Sequence, residues 1–487
     1  MSVKKKNLDL YLAEIFKEYI AIKDENYKKS QEIFNAVFEE VKLKMGEKCN
    51  YFKKYSSQII IAGSVDDGIK VSKLDEFDMD IVIRLPINSA DESERGIIME
   101  YDQPGFVKMK IIDCFDNLDK QPEWEKCHVV TKEWRDSDKY FLQNKFRSWL
   151  HGIVQKTLKD MDRKVIVHGV SYVLTYKESG PAYTLNIKNC SGPEKFLLDV
   201  DLVPVIKFTH PRWPSGYRNI NPSSDNNQVK EWYVVPKPNK YMQDDVQKNR
   251  CWRLSFQVFE KNMMRNRQNL KTTIRLMKKL RDNLDMRAIA SYYIKTLFLW
   301  KISQNDETYW RTKPSTLFHT MLKEFYDAIE KKNIPYFWHE DNNLIEGLKP
   351  SLQKIYLEKL AGVLKSIESN DVDALVTAFL TQAELKKYKE SEFYKNQKAK
   401  DVADAAKLST NVITKQVSVP NEDKTKLINS LISKVDKLTS AVADLQDRVK
   451  RLEMSVNLVK ENRTIDDSLL KSFSSQDSGV SLDSLVN

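Results

Sequence analysis

Three short segments carry residues whose types and spacing can do chemistry. The first is Glu76-Phe77-Asp78-Met79-Asp80-Ile81-Val82-Ile83, where acids alternate with large apolar residues. With a side-chain period of two, such a strand has one carboxylate face and one core face. Three acids in a row repel one another unless a cation sits among them, and hard divalent ions such as Mg²⁺ prefer carboxylate oxygen. At about 3.3 Å per residue, Glu76 and Asp80 stand roughly 13 Å apart, too far to share one pair of metals about 4 Å apart. Asp78 therefore belongs to any metal-binding pair on this strand, with either Glu76 or Asp80 as its partner. The second segment, 196–206, is a very apolar strand holding Asp199 and Asp201 on one face. An acid in so apolar a run is costly unless paired or metal-bound. A carboxylate from a neighbouring strand completes a two-metal site for phosphoryl or nucleotidyl transfer. The third is Ile59-Ile60-Ile61-Ala62-Gly63-Ser64, an apolar strand ending in a small turn whose backbone N–H groups and hydroxyl can approach a phosphate. Taken alone, a Gly-Ser turn is most often only a turn.

The elements that must position these residues follow from periodicity. Residues 7–46 read as one amphipathic spine helix, with Leu8, Leu12, Ile15, Tyr19, Ile22, Ile33, Phe34, Val37, Phe38 and Val41 at helical spacing. A period of two then predicts strands at 58–62, 77–84, 107–114, 165–175, 183–187 and 196–206, interrupted by a helix at 137–160. Helices are predicted near 266–283, 286–303, 315–331, 350–369 and 371–390. The expected architecture is a two-lobed α+β protein, a mixed sheet with a spine helix followed by a helical lobe, with a cleft between. The expected division is 1–215 for spine and catalytic core, 216–400 for the helical lobe, 401–425 for a polar linker, 426–462 for a coiled coil and 463–487 for a disordered Ser/Asp-rich tail.

The coiled coil rests on Ile428, Val435, Val442, Val449 and Val456, with Leu431, Leu438, Leu445, Leu452 and Val459, ten apolar a and d positions over five heptads. A straight helix would drift about 20° per heptad, so a strict seven-residue repeat implies a supercoil. β-branched a positions with Leu at d favour a parallel dimer, and hence a homo-oligomer through 428–459.

Composition limits the alternatives. The chain has 487 residues, 41% hydrophobic and 30% charged, with no apolar run long enough for a membrane span and no signal-peptide core. Five scattered cysteines without a Cys-x-x-Cys pair indicate a reducing, cytoplasmic setting. The net charge is +10, and the run 261–281 alone holds eight basic residues and no acid: Lys261, Arg265, Arg267, Lys271, Arg275, Lys278, Lys279 and Arg281. Lys271, Arg275, Lys278 and Lys279 recur at three-to-four spacing on largely one helical face, which is destabilised unless something anionic meets it. A polynucleotide backbone is the expected partner, read by phosphate and duplex shape, with Lys278 turned inward and Lys23, Lys28 and Lys29 extending the surface.

Taken in order, Gly63-Ser64, Glu76-Phe77-Asp78 and Val200-Asp201-Leu202 resemble the nucleotidyltransferase core of cyclic GMP-AMP synthase and the animal cyclic GMP-AMP synthase-like receptors. The resemblance continues through Cys251-Trp252-Arg253-Leu254-Ser255-Phe256, Leu276-Met277-Lys278 and Ser291-Tyr292-Tyr293-Ile294-Lys295, and spans roughly residues 7–390. It implies that Glu76, Asp78 and Asp201 bind Mg²⁺ or Mn²⁺ and are catalytic, and that Gly63 and Ser64 hold the nucleotide triphosphate. It also implies that Arg253 reaches a nucleobase, that Tyr292 stacks on one beside Ser291, and that Lys278 and Lys295 lie near phosphates. The plainer reading of Tyr292 is core packing, and of Lys295 a solvated lysine. Asp80 and Asp199 are acids the family pattern does not require. Vertebrate cyclic GMP-AMP synthase carries a His/Cys zinc insertion after the Trp-Arg-Leu-Ser-Phe strand, whereas residues 257–275 here hold neither Cys nor His. That departure resembles the insect-type receptors and implies double-stranded RNA rather than DNA as ligand, with ATP and GTP as substrates of an innate antiviral sensor. The other readings are an inactive scaffold of the same fold that binds nucleic acid or oligomerises, and an RNA-tailing nucleotidyltransferase.

Overall fold

The structure, a computed structural model, describes residues 6–22, 24–71, 75–85, 96–101, 103–116, 118–120, 122, 127–179, 182–190, 195–220, 230–239 and 242–416, with single positions at 430, 433, 434 and 448. The chain divides into two compact units, residues 1–390 and 391–487. In the second unit a helix, Glu392–Gln416, occupies much of the stretch expected as a linker at 401–425. The heptads at 428–459 lie outside the described residues, apart from the four single positions.

The first unit is built on a ten-stranded mixed sheet: β1 (Ser56–Ala62), β2 (Glu76–Ile83), β3 (Ile97–Glu100), β4 (Phe106–Ile111), β5 (Lys164–Val167), β6 (Val170–Ser179), β7 (Ala182–Asn189), β8 (Leu197–Thr209), β9 (Glu231–Val235) and β10 (Cys251–Ser255). The order β3-β4-β10-β9-β8-β7-β6-β5 has β2 added on β8 and β1 on β2. The strand β8 organises it. Asp199–Val205 runs parallel to β2, Leu197–Leu202 pairs antiparallel with β7, and Ile206–Thr209 pairs antiparallel with β9. The sheet therefore continues past the boundary expected at residue 215, to Ser255.

Under the sheet lies the helix Asp24–Lys48, whose Ile33, Phe34, Val37, Phe38, Val41 and Met45 are all buried. The Phe34 ring centroid is 5.3 Å from that of Phe77 on the apolar face of β2, so the alternation that exposes acids above buries aromatics below. The single spine helix is corrected. Leu8–Ile15 is a helix, Phe16–Ile20 a π turn, and Ala21 is extended, with ψ 134°. In residues 23–32 every side chain except that of Tyr27 is charged or an uncharged polar group, so no continuous apolar stripe holds one straight helix through that stretch. The N-terminal piece packs instead against the helices Pro314–Glu330 and Val372–Phe379. There the Ser315 N–H donates to Asp9 at 2.8 Å and the Lys6 N–H to Asn370 at 2.7 Å.

The strand expected at 165–175 is a hairpin, β5–β6, turned at His168 and Gly169, whose φ values of 48° and 77° suit the twist of the flanking strands. The helical lobe follows the expected periodicity: Leu270–Asn283, Ser291–Gln304, Pro314–Glu330, Pro350–Glu368, Val372–Phe379 and Gln382–Glu390. The last pair, expected as one helix, is divided where Thr381 and Glu384 cap each other reciprocally, the Thr381 N–H donating to Glu384 and the Glu384 N–H to the Thr381 hydroxyl.

Candidate active site

In the sheet register Ala62 lies opposite Asp78, and Asp78 opposite Asp201; one step back, Glu76 lies opposite Asp199. Glu76, Asp78 and Asp201 each offer a carboxylate oxygen, and these oxygens all lie within 4.8 Å of one another. Glu76, not Asp80, is thus the strand partner that joins Asp78. Burial first, then the charges of Glu76 and Asp201, push the Asp78 carboxyl up to about 6. Burial also raises Asp201, against a hydrogen bond from Thr184. Acids that raise one another in this way are stabilised by a cation, and an all-oxygen donor set fits Mg²⁺ or Mn²⁺. The two further acids turn elsewhere. Asp80 is 6% exposed and accepts from Gln257 at 2.7 Å, its carboxyl pushed up to about 7 chiefly by burial. Asp199 accepts from Asn186 at 2.5 Å.

Gly63 has φ +66°, and a Cβ there would strike the Asp78 carboxylate. Only glycine lets the turn close on the acids. From it the chain makes one helical turn, Gly63–Asp66, and the Ile69 N–H returns to the Ser64 carbonyl at 2.9 Å. Just beyond, Lys70 pairs with Glu76 at 3.3 Å. Four lysines of the opposite lobe reach this loop. Lys261 pairs with Asp66 at 2.6 Å, Lys295 with Asp67 at 2.5 Å, and Lys278 donates to the Ile69 carbonyl at 2.7 Å. Lys271 lies over Gly68, its nitrogen 3.2 Å from where a Cβ would be.

A cavity of about 500 Å³ opens between the acids and the helical lobe, and Gly63, Ser64, Asp78, Asp201, Arg253, Lys278, Ser291, Tyr292 and Lys295 all line it. Glu76 is outside that lining but within the acid cluster. The Arg253 guanidinium lies 5.8 Å from the Tyr292 ring centroid. The Tyr292 hydroxyl donates to Glu260 at 2.7 Å, and the Trp338 indole to the same carboxylate oxygen at 2.8 Å. Ser291 accepts from Arg281 at 2.8 Å. Lys278 is 4% exposed, and burial pulls its ammonium down to about 8. Lys295 is neither solvated nor aimed at open space: it bridges Asp67 and Glu260, the latter at 2.8 Å.

The basic run is corrected in part. Lys261 and Arg265 are exposed, Lys271 is half-buried, and Arg267 donates to the Met263 and Arg265 carbonyls. Arg275 is turned inward, donating to the Ile20 carbonyl at 3.0 Å with its guanidinium 4.8 Å from the Phe16 ring centroid. Lys279 is buried against Glu384 at 2.6 Å. Distant segments supply a partner to each, an acid for Lys279 and a carbonyl and a ring for Arg275, so neither shares an open face with Lys271. On the spine, Lys28 and Lys29 are exposed, and Lys23 lies outside the described residues. Asp67, Lys70, Thr184, Asn186, Gln257 and Glu260 are site residues that sequence reasoning missed. Only Asp67 and Lys70, close behind Ser64 in the chain, sat where a search could have found them.

Carboxylates on adjacent parallel strands, a glycine turn pressed on them and a cation-lined wall opposite suit the transfer of a nucleotidyl group, and similarity gives the same class. Residues 66–266 match the Mab-21 protein nucleotidyltransferase domain and residues 269–362 the Mab-21 protein HhH/H2TH-like domain. The chain is 33% identical over 379 residues to a cyclic GMP-AMP synthase-like receptor of Aethina tumida, covering 76% of this chain and 90% of that one. It is 32% identical over 391 residues to one of Tribolium castaneum (78% and 94%) and 31% over 400 residues to one of Trichogramma pretiosum (79% and 78%). The chain belongs to the cyclic GMP-AMP synthase-like receptor family.

Proposed function

We propose that this receptor binds double-stranded RNA in the cytosol and then makes a cyclic dinucleotide of the cyclic GMP-AMP type from ATP and GTP, in innate antiviral signalling. The observation that carries the reading is the acid cluster, its oxygens within 4.8 Å, facing a cavity whose far wall is built of cations and aromatic rings. Glu76, Asp78 and Asp201 would hold Mg²⁺ or Mn²⁺, which when bound activates the attacking ribose hydroxyl and stabilises the pyrophosphate leaving group. The Gly63-Ser64 turn meets the triphosphate with backbone N–H groups and a hydroxyl, and Lys278 adds a charge. Arg253 reaches a nucleobase, and Tyr292 stacks on one. Lys261, Arg265, Arg267 and Lys271 form the RNA-facing surface, and contact there bears directly on the loop that Lys261 and Lys271 touch. The heptads at 428–459 would pair two receptors and raise avidity for one duplex.

The test is incubation of the full chain with ATP, GTP and Mg²⁺ or Mn²⁺, with duplex RNA or duplex DNA, and separation of the nucleotide products. A cyclic dinucleotide formed with RNA and lost in Asp201→Asn is expected. No dinucleotide under any ligand, with wild type and Asp201→Asn alike, refutes the enzyme. Product formed only with DNA refutes the ligand assignment.

A further inference from the structure

Five acids crowd one face of β2 and β8, and three of them form the cluster. Gln257 and Asn186 each donate an amide to an acid outside it, Asp80 and Asp199. Asp201 alone takes a hydroxyl: Thr184 donates to its Oδ1 at 2.5 Å. Thr184 is 4% exposed and directly opposite Asp201 in the β7–β8 ladder, so the bond runs straight across two strands. On the other side of β8, Asp78 is directly opposite the same residue. The side chain is β-branched, so its χ1 is restricted.

We propose that Thr184 is a positioning residue of the metal centre: by occupying one oxygen of Asp201 it sets the carboxylate so that the other is presented towards Glu76 and Asp78. The inference rests on the metal-binding reading above and adds to it the residue that orients a ligand. Outer partners of this kind change metal affinity by about 10–100-fold when removed. Thr184→Val keeps the shape and deletes the donor, Thr184→Ser restores it, and Ile187→Val trims the buried core face of the same strand, away from the acids.

The experiment is titration of the full chain with Mn²⁺ alone, free ion being read by electron paramagnetic resonance, with no nucleotide present. Relative to wild type, Thr184→Val should bind Mn²⁺ about 10–100-fold more weakly, while Thr184→Ser and Ile187→Val stay near wild type. Should Thr184→Val not fold, Thr184→Ala gives the same comparison. Equal affinity in wild type and Thr184→Val overturns the inference alone. An equal loss in Ile187→Val also overturns it, since general loosening of β7 would then suffice. Wild type binding no better than Asp201→Asn overturns the metal reading and the inference with it.

Discussion

Lys295 is the residue on which the family resemblance and the structure differ most, and its replacement separates them. Its ammonium, 5% exposed, is held 2.5 Å from Asp67 and 2.8 Å from Glu260. Burial alone would pull the lysine down, but Glu260 and Asp67 more than offset it and leave it raised. Lysine and acids thus form one buried group joining the loop after Gly63 to the helix Ser291–Gln304. Lys295→Met leaves two buried carboxylates without their cation, a change that destabilises by about 3–5 kcal/mol. With about 2.1 cal/mol/K per residue of unfolding entropy over the 390-residue unit, that lowers the midpoint by about 4–6 °C. The sign of the pH dependence follows. Burial already raises Asp67, and Lys295 opposes it; Lys295 is also foremost in overcoming burial at Glu260, which is lowered. Without the lysine both acids rise above their unfolded values, so the folded variant binds more protons than the unfolded chain and its stability falls as pH rises. The deficit relative to wild type should be larger at about pH 8 than at about pH 6. The assay is thermal unfolding by circular dichroism at both pH values, with Lys295→Arg as the charge-keeping control. A Lys295→Met midpoint within about 1 °C of wild type at both pH values, accompanied by a raised KM for nucleotide, would refute the buried bridge and restore the phosphate contact.

Gly63→Ala should lose Mn²⁺ binding and activity together, because the added Cβ displaces Asp78, and should cost about 1–2 kcal/mol from the left-handed backbone; retained Mn²⁺ affinity in a titration counts against the close approach. Lys278, at about 8 in the free protein, sheds its charge as pH rises through that value, so kcat/KM for the triphosphate should fall above about pH 8. Lys278→Arg should flatten that limb of the profile. Replacing Lys261, Arg265 and Lys271 by Ala should weaken RNA binding and reduce its salt dependence by about one unit of log slope per charge. Lys279→Ala should leave the salt slope unchanged and lower thermal stability, because its partner is Glu384; fluorescence anisotropy across a salt series, with a melting curve beside it, checks both.

Much of the site was legible because it is written in strand alternation. Acids between Phe77, Met79 and Ile81, and between Leu198, Val200 and Leu202, can face only one way when the other face is core. The helical lobe was legible for the same reason at a longer period. What escaped depends on partners far along the chain. Glu260 precedes the basic run as an ordinary acid, and only folding brings Lys295, Tyr292 and Trp338 to it. Lys279 has the spacing of an open face, and Glu384, 105 residues on, closes it. The break in the spine escaped because apolar spacing resumes on both sides of it, while the two stretches bury their apolar residues against different lobes.

The docking of the first helix has a consequence for synthesis. Lys6 exchanges hydrogen bonds with Asn370, 364 residues later, and Tyr11, Leu12 and Ile15 are buried only once the helices Pro314–Glu330 and Val372–Phe379 exist. At about 5–20 residues per second, the N-terminal segment waits about 20–70 s outside the ribosome with that apolar stripe uncovered. The unit is therefore completed only once these later helices have been made, and residues 6–15 find their place late.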